Sequence, residues 1–173
     1  MLSRFSNTYF FTATNLNWIN ILETNEAKDI ILQSLQYLVA KKRIILFGYT
    51  IMPNHLHLIW NICEGNTLQD VQRDFLKFTA QQIKFYLQEN NQQILNKLLV
   101  NAKDRKYQIW ERNPKSIEIE NELIFAQKLE YMHNNPLQEK WKLCKSPIEY
   151  KFSSAKFYEI GTDELFILSN GII

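Results

Sequence analysis

Cysteine is scarce in this chain of 173 residues. Cys63 and Cys144 lie far apart and lack the CxxC spacing of a zinc ribbon. Two such thiols build no disulfide framework, and the expectation is a pair of reduced cysteines in an intracellular, cytoplasmic protein. Glycine and proline number four each, too few for a long linker or a low-complexity tract. With no internal repeat, this predicts a single domain over residues 1–173. The net charge is only +2, so the overall balance selects no class of partner. No apolar run is long enough to cross a bilayer, and no membrane partner is expected. The opening segment, MLSRFSNTYFFTATN, is aromatic and polar and has no apolar stretch of the kind a secretory leader carries. Histidine is scarcer than proline: there are three, at 55, 57 and 133.

What is present suits a globular domain. Hydrophobic residues make up 46% and charged residues 22%, enough for one proper core at this length. Aromatics reach 13%, which points first to an aromatic core and second to a surface on which bases stack. The cations are unevenly spread. Lys97, Lys103, Arg105, Lys106, Arg112 and Lys115 face only Asp104 and Glu111 in their stretch. Lys140, Lys142, Lys145, Lys151 and Lys156 face only Glu149. Trp110, Trp141, Tyr150, Phe152 and Phe157 are interleaved with them. Such runs are usually solvated surface, but they also suit a polyanion such as nucleic acid.

The hydrophobic pattern predicts a strand over 8–18 and a helix over 26–40, where Ile31, Leu35 and Leu38 recur at helical spacing. Strands follow over 43–52 and 55–62, with Pro53 and Asn54 supplying the turn between them. A long helix runs from Thr67 to about Glu89, with Thr67 and Asp70 as a capping pair and Leu68, Val71, Phe75, Phe78, Gln82 and Tyr86 as its apolar stripe. Residues 90–106 read as loop or short helix. Residues 107–120 read as an extended pair broken at Asn113-Pro114. A further helix over 120–134 stops near Asn135, because a residue before proline is disfavoured in the helical region. The tail from 146 reads as extended or irregular. This order predicts an α+β fold, a ferredoxin-like (split β-α-β) sandwich: an antiparallel sheet with helices on one face, plus a C-terminal helix.

The third of these strands, HLHLIWNI, carries His55 and His57. Strand side chains alternate, so both imidazoles share one face, roughly 7 Å apart along the strand, while Leu56 and Leu58 face the core. Two imidazoles on one face can hold a divalent metal if a third ligand comes from elsewhere; two solvent-facing histidines would give the same pattern. On the helix over 120–134, Ile124, Lys128, Tyr131 and Asn135 form one stripe and Phe125, Leu129 and Met132 another, suited to the core. An amide oxygen at Asn135 can ligate a hard metal, and a phenol at Tyr131 can be a nucleophile. Each can equally be a structural residue of a helix end. His133 lies around the helix from both.

MPNHLHLIW resembles the His-hydrophobe-His motif of the HUH single-tyrosine transposases. YMHNNPL, followed by Trp141 and then PIEYKFSSAKFY, resembles their Tyr-x-x-x-Asn-Pro helix end and Ser-Ser segment. The combination is similar to the REP-associated tyrosine transposases, over roughly residues 8–158, with 159–173 as a C-terminal extension. The resemblance implies that the C-terminal helix is catalytic. It implies a metal-dependent endonuclease and transposase that cleaves and rejoins single-stranded or hairpin DNA through a 5′-phosphotyrosine. By position, Tyr131 is the nucleophile, and His55, His57 and Asn135 ligate Mg²⁺ or Mn²⁺. Lys103, Arg105, Lys106, Arg112, Lys142 and Lys145, from the basic runs, are the expected DNA contacts. Family members work as monomers or homodimers. The alternative is a non-catalytic protein that keeps the fold and only binds DNA hairpins.

Overall fold

A computed structural model describes residues 5–171, so the outermost ends of the expected domain lie outside the described residues. Its sheet has four strands: β1 (Thr8–Thr14), β2 (Ile44–Ile51), β3 (His55–Ile62) and β4 (Lys115–Glu118), in the spatial order β2-β3-β1-β4. Every neighbouring pair is antiparallel. This is the order that the split β-α-β expectation requires, and the α+β class holds. Among the described residues no helix is long and apolar enough to cross a membrane.

Two helices, α1 (Asn25–Ala40) and α2 (Leu68–Asn90), cover one face of the sheet. Both begin on a threonine. Thr24 Oγ1 accepts the Ala27 N–H at 3.2 Å; Thr67 Oγ1 accepts that of Asp70 at 3.1 Å and donates to its carboxylate at 2.8 Å. Such caps supply orphan first-turn amides with acceptors. The stripe of α2 is not the one expected. Its buried row is Val71, Phe75, Thr79, Ile83 and Leu87, while Phe78 is exposed. A threonine in the middle hides that row from a hydrophobicity count. Thr79 is tolerated in the core because its hydroxyl donates to the Phe75 carbonyl and accepts from Trp110 Nε1. A short helix, α3 (Gln92–Lys97), follows.

The opposite face belongs to α4 (Glu122–Asn134), which lays Phe125, Leu129 and Met132 on Phe10 and Ile59. Gly48 of β2 permits the approach: a Cβ there would run into Met132 Cε and stand 3.1 Å from Leu129 Cδ1 and 3.2 Å from Ser154 Oγ. The helix ends where expected, but not for the expected reason. Asn135 keeps helical angles (φ −56°, ψ −44°) despite preceding Pro136, and the chain continues as a 3-10 turn through Leu137. The side chain of Asn135 is buried, so a conformation that proline disfavours is accommodated inside the packed structure.

Three further segments depart from the sequence reading. The first strand stops at Thr14, because Asn17 and Trp18 turn the chain with positive φ. The extended pair over 107–120 shrinks to β4, with Trp110 making only an isolated bridge to Asn15. The tail is not merely extended: it forms a helix, α5 (Ala155–Ile160), after Ser153 and Ser154 bind the outer edge of β2. Local propensity does not announce these outcomes, since each depends on the sheet the segment lands against.

Candidate active site

The histidine pair faces α4. Opposite His57 in the ladder stands Thr12, and opposite His55 stands Thr14. Neither imidazole is solvent-facing: His55 is 5% exposed and His57 4%. Their rings converge to 5.0 Å between centroids, closer than the strand rise alone brings their backbones. Phe10 stacks on His57 at 5.1 Å, and Trp141 lies 5.9 Å from His55.

The surroundings decide which nitrogen of each ring carries the proton. The Trp18 carbonyl can only accept, so the amide nitrogen of Asn54 donates to it at 3.1 Å and the amide oxygen turns to His55 Nδ1 at 2.7 Å. His55 must then carry its proton on Nδ1, which leaves the Nε2 lone pair free. At His57, Nδ1 meets Thr12 Oγ1 at 2.8 Å and Nε2 accepts from the Asn135 amide nitrogen at 3.1 Å. The same tautomer results, but here the Nε2 lone pair is engaged by Asn135 rather than free. Burial drives the imidazolium form out: the pKa of His55 falls to about 4, with the Lys140 charge adding to the effect and the Asn135 side chain opposing it. That of His57 falls to about 3, through burial first and then the charges of His55 and Lys128. Both rings are neutral near neutral pH, as metal ligation demands.

Tyr131 and Asn135 project from the same side of α4 and its terminal turn, four residues apart. The Tyr131 ring is half exposed and meets His57 edge-on at 5.5 Å and Phe10 at 6.1 Å. Asn135 is 3% exposed, and its Oδ1 is buried without a hydrogen-bond partner. A buried orphan acceptor is costly, and a cation is one group that satisfies it. Among the described residues no three His, Cys, Asp or Glu side chains gather. Beside the two imidazoles, the Asn135 amide oxygen is the candidate third donor, and the amide nitrogen that now faces His57 Nε2 would have to turn away for a metal to enter. Two neutral imidazoles and a carbonyl oxygen are a donor set that fits Mg²⁺ or, better for its nitrogen content, Mn²⁺.

These groups open into a cleft of about 510 Å³ between the end of the sheet and α4. Its rim carries Lys128, Lys115, Arg112 and Lys140, with Glu111 as the acid among them. Of the six cations expected to touch DNA, Arg112 lines this cleft. The others are elsewhere: Arg105 pairs with Asp104, Lys106 lies over the Tyr107 ring, and Lys103, Lys142 and Lys145 are outside the lining. Lys128 was visible in the helical stripe with Tyr131; Lys115 and Lys140 were visible only as members of the basic runs. Thr12 carried no signal and Asn54 only that of a turn residue, because their role at the site depends on strand register and on where that turn lands. His133 stands apart, bonded through Nε2 to Ser154 Oγ at 2.7 Å.

An α+β sheet that presents a His-Leu-His strand to a tyrosine-bearing helix is the class that fold and site define. No family model matches the chain, and no curated protein matches it by sequence. Among solved structures it is similar to a REP-associated tyrosine transposase bound to a REP hairpin. That likeness has a TM-score of 0.66 at 18% identity, covering 100% of this chain and 92% of the other. A second similar structure, a transposase candidate from Deinococcus radiodurans R1, has a TM-score of 0.49 at 15% identity, covering 73% of this chain and 88% of the other. The first of these shows that the two proteins share a fold.

Proposed function

We propose that the chain is a REP-associated-type, HUH single-tyrosine DNA strand transferase, which cleaves and rejoins single-stranded or hairpin DNA. The observation that carries this reading is the meeting of Tyr131, His55, His57 and Asn135 in one basic cleft. A protein that only bound hairpins would need the cations and not this constellation.

In the reaction, the Tyr131 oxygen attacks the scissile phosphorus in line with the bond to the 3′ oxygen. The phenolic proton is lost as the new P–O bond forms. The 3′ oxygen leaves and takes up a proton, and the DNA 5′ end stays esterified to Tyr131. Reversal by a 3′-OH restores the phosphodiester and frees the tyrosine without an external energy source. His55, His57 and Asn135 would hold a divalent metal, whose charge would polarise the phosphate and stabilise its transition state. Asn54 and Thr12 keep both histidines in the ligating tautomer. Lys128, Lys140, Lys115 and Arg112 hold the backbone phosphates on either side.

The test is a denaturing gel of protein mixed with labelled hairpin oligonucleotides and Mn²⁺ or Mg²⁺. A slow-migrating covalent band should appear, vanish in Tyr131→Phe and vanish with EDTA. Binding without any band, across a broad pool of hairpins, would replace this reading with the non-catalytic hairpin binder.

A further inference from the structure

Trp18 is an unusual residue at an unusual place. It is 61% exposed, yet it lines the mouth of the cleft and meets His55 edge-on at 6.1 Å between centroids. An indole left in water on a flexible loop would mean little, since single exposed hydrophobics are ordinary. This one is held. Asn17 and Trp18 both have positive φ, 53° and 56°, a conformation that non-glycine residues seldom adopt in succession. Three bonds fix the turn: the Asn17 N–H to the Glu111 carboxylate at 2.7 Å, the Trp18 N–H to the Asn15 carbonyl at 3.0 Å, and the Trp18 carbonyl from Asn54 Nδ2 at 3.1 Å. The last comes from the same amide that orients His55. The turn that displays the indole and the bond that sets the histidine tautomer are therefore one construction.

We infer that Trp18 is a stacking platform for an unpaired DNA base beside His55, and so a residue that positions the strand to be cut. This rests on the DNA reading of the cleft. Its chemistry is specific to that end of the site. Glu111, bonded under the turn, disfavours a phosphate there, while an indole face accepts any base. The backbone phosphates are left to the cations of the rim. A rigid aromatic loses little freedom when a base lands on it, which favours it over a mobile side chain.

The experiment compares two probes of equal charge: oligothymidylate long enough to cross the cleft, and the same deoxyribose-phosphate chain without bases. The wild-type protein should prefer the first. Trp18→Ala should lose roughly 5- to 150-fold of that preference, with affinity for the baseless chain unchanged. Trp18→Phe should keep part of it. A purely structural role would weaken both probes together, and that result, or an unchanged preference, overturns the inference. If neither probe binds the wild-type chain, the DNA reading of the cleft falls, and the inference falls with it. Covalent capture at Tyr131 with an unchanged Trp18→Ala preference would overturn the inference alone.

Discussion

The amide oxygen of Asn54 lies 2.7 Å from Nδ1 of His55, and that bond decides which nitrogen of the imidazole faces the cleft. The neighbouring residue thus sets the tautomer that the proposed metal site requires, without itself being a proposed ligand. Replacing Asn54 by Ala leaves the His55 tautomer free and removes the clamp on Trp18. The expected outcome is a loss of Mn²⁺ affinity of about 10- to 100-fold, read by calorimetric titration. Asn54→Asp keeps an acceptor against Nδ1 and should retain more of the affinity. Equal losses in the two variants would show that the acceptor is not what matters.

Asn135 separates structure from function. Its Nδ2 bonds His57 while its Oδ1 is buried without a partner, so Asn135→Ala gives up one bond and one orphan together. The unloaded protein should melt with a stability change within about 1 kcal/mol. If its amide oxygen ligates the metal as proposed, the rise in Tm on adding Mn²⁺ should shrink sharply. A large loss of stability without metal and an intact Mn²⁺ response would make Asn135 a structural residue.

The cations divide by position. Alanine at Lys115, Arg112, Lys128 or Lys140 should each reduce the slope of log affinity against log salt by about one contact. Alanine at Lys103, Arg105, Lys106, Lys142 or Lys145, outside the cleft, should leave the slope near the wild-type value. Arg105 is engaged with Asp104 on the open surface, where ion pairs contribute little. The reverse ranking would move the DNA track off the cleft.

Gly48 governs how closely α4 lies on the sheet. Gly48→Ala places a methyl against Met132, Leu129 and Ser154, and overpacking of this kind costs about 1–3 kcal/mol. Denaturant unfolding measures that cost directly. If α4 moves to relieve it, Tyr131 shifts from the histidines, and covalent capture should fall further than the loss of stability explains. Unchanged stability would mean that Met132 and Leu129 swing aside freely.

Much of this protein can be read without its structure, wherever the signal is local. The limits of β3 and the capped start of α2 follow from alternation and from Thr67 with Asp70. The apolar row of α4 follows from helical spacing, and with it the separate stripe that carries Tyr131 and Asn135 toward the histidines. Local reading fails where a neighbour in space decides. Thr79 looks polar until Trp110 donates to it, and the tail looks irregular until Ser153 meets the edge of β2.

The sequence by itself determined the order of elements, the shared face of His55 and His57, and the shared stripe of Tyr131 and Asn135. Periodicity within a strand or helix is a covalent consequence of backbone geometry. Only the tertiary structure decided that the two faces meet, that both histidines are buried and neutral, and that Asn135 keeps helical angles before a proline. It also decided that Asn54 and Thr12 set the tautomers and that Trp18 stands at the cleft mouth. Each of these depends on strand register, on the close approach at Gly48, or on burial, and residues far apart in the chain supply them together.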